Sequence, residues 1–137
     1  MLLAKERKII IRTKIESDIT IYGNKHKLSE AITNLVSNAF KYVSPERRGE
    51  ISIMLHKVDG QAELIVEDNG IGIGTDHLAN IFNRFYQVKD NNNLETKGTG
   101  LGLAIVKKII EKHDGTIDVE SQLDRGARFK IKIPLLK

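Results

Sequence analysis

The stretch EISIMLHKVDGQAELIVED, residues 50–68, constrains this chain more than any other. Apolar and polar residues alternate on both sides of Asp59-Gly60, the kind of dipeptide favoured in two-residue hairpin loops. Residues 50 to 58 and 61 to 67 should therefore be antiparallel neighbours, and whatever else folds here must cover one face of that ribbon. Two further alternating segments, TIDVES and ARFKIKIP, predict a second hairpin around Asp124-Arg125-Gly126. Near the start, Ile9 and Ile11, then Ile19 and Ile21, predict two short strands around the turn-like ESD.

Two segments carry helical periodicity instead. Leu28, Ile32, Leu35, Val36 and Ala39 recur at helix spacing from a start at Asn24 or Lys25 to about Tyr42, before Pro45 and Gly49 interrupt the pattern. GLGLAIVKKIIEKH is amphipathic, basic towards its C-terminus and ended by Gly115. A short helix opened by Thr75 and Asp76 is expected between them. The tract from Lys89 to Lys97 is polar, with three consecutive asparagines, and reads as a mobile loop. The order β, helix, ββ, lid, helix, ββ, with hairpin-linked strands and helices left to cover one face, predicts an α+β, two-layer sandwich rather than a doubly wound parallel sheet.

At 137 residues the chain suits one domain, and no apolar run approaches the roughly 18 residues of a membrane span. Without cysteine, disulfides, thiolate zinc sites and cysteine nucleophiles are excluded. The opening MLLAKERKIII is not a signal peptide, so a cytosolic location is expected. The net charge of +4 is spread among acids and aromatics are 5%, which argues against nucleic acid and for a solvated surface.

In NLVSNAFKY the residues Asn34, Asn38, Lys41 and Tyr42 cluster roughly 100° or more from the apolar stripe. A plain solvated face is one explanation. Yet asparagine is a poor helix former, and two at i and i+4 suggest selection for something other than helix stability. A carboxamide oxygen is a neutral hard ligand suited to Mg²⁺ that carries phosphate oxygens, and lysine is a point charge for phosphate. DNGIGIG follows a strand directly. It is a turn at least, and its glycines let a backbone approach a ligand, but its spacing is not that of a dinucleotide fingerprint. A buried Asp68 beside it could accept a hydrogen bond from the exocyclic amine of adenine, where guanine would present an oxygen. In GTGLGLA, glycines 98, 100 and 102 stand at the mouth of the long helix, where free N–H groups favour phosphate; a lid hinge is the other reading.

NLVSNAFKY, DNGIGIG, IFNRFYQ and KGTGLGLAIV, in this order, resemble the N, G1, F and G2 boxes of the ATP-binding catalytic domain of bacterial sensor histidine kinases, across nearly the whole chain. The resemblance implies the Bergerat fold shared with DNA gyrase and the Hsp90 chaperones: a mixed sheet of about five strands under about three helices, with a mobile lid at about 74–98. It implies one catalytic domain over residues 1–137, cut from a longer kinase, binding ATP and Mg²⁺. Asn38 would be the metal ligand with Asn34 beside it, Lys41 would hold phosphates and Tyr42 would contact the nucleoside. Asp68 would read adenine, Gly70 and Gly72 would make room for it, and Ile73 would line the site. Gly98, Thr99, Gly100, Leu101, Gly102 and Leu103 would form the hinge and phosphate-binding helix start. Arg84 is the candidate for the transferred phosphate, while Phe82 and Phe85 pack the lid. Asn34, Lys41 and Arg84 are thus the catalytic candidates.

There are departures. Gln87 stands where many members carry a second arginine, and Asn24 where an aspartate is frequent. None of the four histidines fits a phosphoacceptor: His113 precedes Asp114, but Gly115 ends that helix at once. The implied partners are a dimerisation and phosphoacceptor domain and a response regulator, with the domain by itself monomeric and without direct contact to nucleic acid or membrane. Two alternatives stay open. An ATP hydrolase would use Glu30 as base and Asn34 as ligand. A serine-kinase or nucleotide-sensing switch module would use the same fold.

Overall fold

A computed structural model describes residues 9–84 and 102–136 of the chain. Five strands form one sheet in the order β1-β2-β3-β5-β4: β1 Ile10–Ile15, β2 Glu50–Val58, β3 Gln61–Asp68, β4 Thr116–Gln122 and β5 Gly126–Pro134. Two helices accompany it, α1 Lys25–Lys41 and α2 Gly102–Lys112. The sheet is mixed. β1 runs parallel to β2, which requires the α1 crossover, and every other pair is antiparallel.

The first hairpin forms as its pattern predicts, with Val58 opposite Gln61 and both Asp59 (φ 50) and Gly60 (φ 79) left-handed, as a primed two-residue turn demands. Helix α1 begins where Asn24 caps it: the carboxamide accepts the Lys27 N–H at 3.0 Å. It ends with the Tyr42 N–H on the Asn38 carbonyl. Its buried stripe is Ala31, Leu35 and Ala39; the two alanines let the helix approach its neighbours, and Leu35 fills the space between. Val106, Ile109 and Ile110 of α2 complete this layer over Ile51, Val66, Phe129, Ile131 and Ile133 of the sheet. Full burial of a side chain such as Leu35 stabilises the fold by roughly 1.5–3 kcal/mol relative to exposure.

The two helices run antiparallel, and His113 ties their far ends. Its Nδ1 bonds the Ile109 carbonyl at 2.7 Å, and its Nε2 accepts the Asn24 N–H at 3.0 Å. A carbonyl can only accept and an N–H can only donate, so this ring carries its proton on Nδ1. The start of α2 lies beside Asn34, about two turns before the end of α1, and the end of α1 meets the loop after β3 through the Tyr42 carbonyl and the Ile71 N–H.

Four expectations need correction. Ile19 and Ile21 form no strand: Asp18 at φ 61 turns the chain away from β1, and the segment makes a single backbone bond, Leu136 N–H to the Thr20 carbonyl. The segment opened by Thr75 and Asp76 is a chain of four-residue turns, with bonds from the N–H of His77 to the Gly74 carbonyl, Asn80 to His77 and Asn83 to Asn80. Asn83 Nδ2 also donates to Asn80 Oδ1 at 3.1 Å. The described residues therefore hold two helices rather than about three. Ile32 is 39% exposed instead of buried, because the packed stripe of α1 is centred on the Ala31 side. Finally, the left-handed residue that stops α2 is Asp114 (φ 60); Gly115 donates to the Ile110 carbonyl and lies against the Lys132 carbonyl.

Candidate functional site

Alternate residues of β3 share a face. Ala62, Leu64 and Val66 point at the helices, and Asp68 takes the next place in that row, opposite Ile51. The pattern that builds the core thus puts a carboxylate at its rim. Asp68 Oδ1 accepts the Gly70 N–H at 2.8 Å and the Ala127 N–H at 3.3 Å. Oδ2 has no hydrogen bond among the described residues. Burial pushes this carboxyl up to about 6, against the two N–H donors that pull it down and with a small upward push from Glu67. A carboxylate desolvated this far, with one oxygen open, is suited to a neutral ligand donor.

The DNGIGIG loop is held on both sides. The Ile71 N–H bonds the Tyr42 carbonyl at 2.9 Å, which ties the loop to the end of α1. The Asp124 N–H bonds the Ile71 carbonyl, and Ile73 donates to Ser121 Oγ, both at 2.8 Å, tying it to the β4–β5 hairpin. A Cβ on Gly70 would stand 2.1 Å from the Tyr42 carbonyl oxygen, and one on Gly72 (φ +75) 2.0 Å from that of Gln122. Glycine is therefore required at both places by the protein's own backbone, whatever room it also leaves for a ligand.

Asn34 and Asn38 are half-buried on the α1 flank that meets α2, and neither carboxamide has a hydrogen-bond partner among the described residues. Asn34 Oδ1 lies 3.8 Å from where a Gly102 side chain would begin, so it faces the start of α2. Lys41 is exposed at the same end. Tyr42 is half-buried, and burial raises its phenol above its usual range. The described residues contain no group of three or more His, Cys, Asp or Glu able to cage a metal. The two neutral carboxamides suit a Mg²⁺ that arrives already holding phosphate oxygens.

A match over residues 23–137 joins this sequence to the histidine kinase-, DNA gyrase B- and HSP90-like ATPases. The chain belongs to that family. Among curated relatives of this ATPase domain, Sensor protein RprX of Bacteroides fragilis is 42% identical over 117 residues, covering 85% of this chain and 22% of the relative. Sensor histidine kinase RppB of Synechocystis is 39% identical over 118 residues, 86% of this chain and 26% of the relative. The chain thus spans about a quarter of the length of these relatives. Among solved structures, a mycobacterial sensor histidine kinase, MprB, superposes with TM-score 0.81 at 29% identity, covering 96% of this chain and 86% of that one. Full-length ShkA in complex with AMPPNP gives TM-score 0.81 at 30% identity, over 98% of this chain and 27% of that one. The ATPase fold and the kinship to sensor kinases agree with the resemblance read from the four boxes, and the family supports ATP as the nucleotide.

Asn34, Asn38, Tyr42, Asp68, Gly70, Gly72, Ile73 and Gly102 are brought to one end of the domain. Ile73 and Leu103 also pack against the core cluster. Phe82 stacks edge-on against Phe129 at 6.3 Å with Lys107 Nζ over its ring, so it anchors the segment after the loop to the core. Arg84 is exposed at the end of the same segment. Gly98, Thr99, Gly100, Leu101, Phe85, Gln87 and the Lys89–Lys97 tract lie outside the described residues. Glu30, the alternative base, pairs with Lys27 at 3.7 Å and lines the groove with Tyr22, Lys112 and His113, at the opposite end of α1.

Sequence reasoning missed Asn69 and Arg47. Asn69 uses both ends of its carboxamide, accepting the Glu50 N–H at 2.8 Å and donating to the Arg48 carbonyl at 2.9 Å. Arg47 bonds three loop carbonyls. Its setting, PERRGE, reads as an ordinary charged turn, and no periodicity marks it.

Proposed function

We propose that this domain binds Mg-ATP and presents its γ-phosphoryl group to a histidine on a separate dimerisation and phosphoacceptor domain of a two-component sensor kinase. The observation that carries the reading is Asp68, with Oδ1 held by Gly70 and Ala127 and Oδ2 open, beside two unpartnered carboxamides at the meeting of α1 and α2. Asp68 Oδ2 accepts the adenine amino group, and the half-buried Tyr42 contacts the nucleoside. Asn38 and Asn34 hold Mg²⁺, which supplies charge neutralisation on the phosphates when bound. Lys41 holds phosphate oxygens, Gly102 and the helix start behind it add N–H donors, and Arg84 meets the transferred group. Holding the phosphates in line with the incoming histidine is the domain's contribution to phosphoryl transfer.

A response regulator acts downstream, and the domain works as a monomer in the cytosol until it docks on its phosphoacceptor domain. No helix among the described residues is long and apolar enough to cross a membrane. The hydrolase register is disfavoured by the place of Glu30, paired to Lys27 and lining the far groove. The test is thermal unfolding with Mg-ATP, with Mg-GTP and with ATP plus chelator, for the wild type and Asp68→Asn. Ligand at 100 times its dissociation constant adds roughly 2.7 kcal/mol, a melting shift of several degrees. A shift with Mg-ATP, small with GTP and lost in Asp68→Asn, supports the site; equal shifts with GTP refute it. Addition of a phosphoacceptor domain should then yield acid-labile phosphohistidine on that domain.

A further inference from the structure

Three loops meet around Asp68: residues 43–49 after α1, the 69–73 loop and the turn after Gln122. One guanidinium joins them. Arg47 Nη1 donates to the Asn69 carbonyl at 2.7 Å and to the Gly70 carbonyl at 3.3 Å, and Nη2 donates to the Asp124 carbonyl at 2.8 Å. No other backbone or side-chain donor reaches the Asn69, Gly70 or Asp124 carbonyls among the described residues. The Asn69 carbonyl shares its peptide unit with the Gly70 N–H, the nearer donor to Asp68 Oδ1, and the Asp124 N–H, one peptide before the Asp124 carbonyl, bonds the Ile71 carbonyl. A planar fork with fixed donor directions suits two sides of a cleft in a way a single ammonium does not.

We infer that Arg47 is a positioning residue for base selection: its guanidinium locks the Asn69–Gly70 turn to the β4–β5 hairpin, and through the Gly70 N–H it aims the Asp68 carboxylate. This rests on the reading of Asp68 as the adenine acceptor. Arg47 acts through the Asn69 and Gly70 carbonyls, on the turn whose N–H holds Asp68 Oδ1. If the turn is released, Oδ2 no longer has one fixed direction, and discrimination against guanine falls with it.

The experiment measures equilibrium binding of Mg-ATP and Mg-GTP to the full chain as wild type, Arg47→Met, Arg47→Lys and Asp68→Asn, with Arg12→Met as a control from the exposed Arg12–Glu50 edge pair. The expected result is an ATP affinity about tenfold weaker in Arg47→Met, the loss of hydrogen bonds from a charged donor to a loop it orders, with the ATP to GTP ratio falling by a similar factor. Arg47→Lys should recover part of the ratio, and Arg12→Met none of these losses should appear in. An unchanged ratio in Arg47→Met, or equal weakening of ATP and GTP, overturns the inference and leaves Arg47 a general stabiliser. If Arg47→Met does not fold, a wild-type ratio in a folded Arg47→Lys overturns it equally. Failure of the underlying reading looks different: the ratio would then survive Asp68→Asn itself.

Discussion

Replacing Asp68 by asparagine should make the nucleotide-free domain more stable while removing its selectivity for adenine. Burial holds the Asp68 carboxyl near 6 against an ordinary 3.8, so between those pH values the folded state keeps a proton that the unfolded chain releases. Stability from this group is therefore fully present below about pH 4, declines as pH rises through the window, and above about pH 6 is a constant cost. At 1.36 kcal/mol per pH unit the difference corresponds to ~3 kcal/mol, an upper bound because the carboxyl retains some contact with water. Asparagine keeps an oxygen for the Gly70 and Ala127 N–H groups and carries no charge, so Asp68→Asn should recover much of that cost at pH 7. For a domain of this size each kcal/mol moves the melting temperature by roughly 4 °C, so a rise of about 5–10 °C is expected at pH 7 and no more than about 2 °C at pH 4. Circular-dichroism melts of both proteins from pH 4 to 8 check it. A variant that is destabilised at pH 7, or whose gain is the same at pH 4, would refute the claim that desolvation governs this carboxyl. With Asp68 as the proposed acceptor of the adenine amino group, the same linkage predicts weaker ATP binding below about pH 6.

Asn38→Ala should weaken Mg-ATP binding at least tenfold while leaving the nucleotide-free domain as stable or more so by about 0.5 kcal/mol, because alanine is the better helix former; titration calorimetry and urea melts separate the two effects. Gly70→Ala should cost more than about 2 kcal/mol, since its Cβ would stand 2.1 Å from the Tyr42 carbonyl oxygen and force the loop off the end of α1; denaturant unfolding reads it, and a near-neutral result would show that the loop can shift freely. Glu30→Ala should leave ATP binding unchanged, with phosphate release no higher or lower than in the wild type. Abolition of a measurable ATP hydrolysis by that change would instead restore the hydrolase register.

The first hairpin, the N-cap at Asn24 and the stop near Tyr42 were legible because each is a local event, decided by residues within a few positions of one another. The Asn34 and Asn38 pair stood out for the same reason, as a helix face that spends poor helix formers without a local gain. What escaped was everything whose partner is distant in sequence. Ile19 and Ile21 alternate like a strand, but Asp18 turned the chain away from β1, and their segment pairs only through the Thr20 carbonyl with the Leu136 N–H. Ile32 fits the apolar period, yet the position of α2 and the sheet decided which flank of α1 was covered.

By itself, the sequence determined the element order, the two hairpins, the polar face of α1 and the four boxes that mark the ATPase family, since alternation, helical period, capping and turn chemistry act over short range. Only the tertiary structure decided that Asp68 keeps one oxygen open at a desolvated strand end. It also decided that Gly70 is glycine because a carbonyl from α1 lies against it, and that a guanidinium from an ordinary-looking turn joins three loops around the site. Those are contacts between segments tens of residues apart, and a carboxylate's proton affinity or a loop's rigidity depends on what surrounds it, which exists only once the chain has closed on itself.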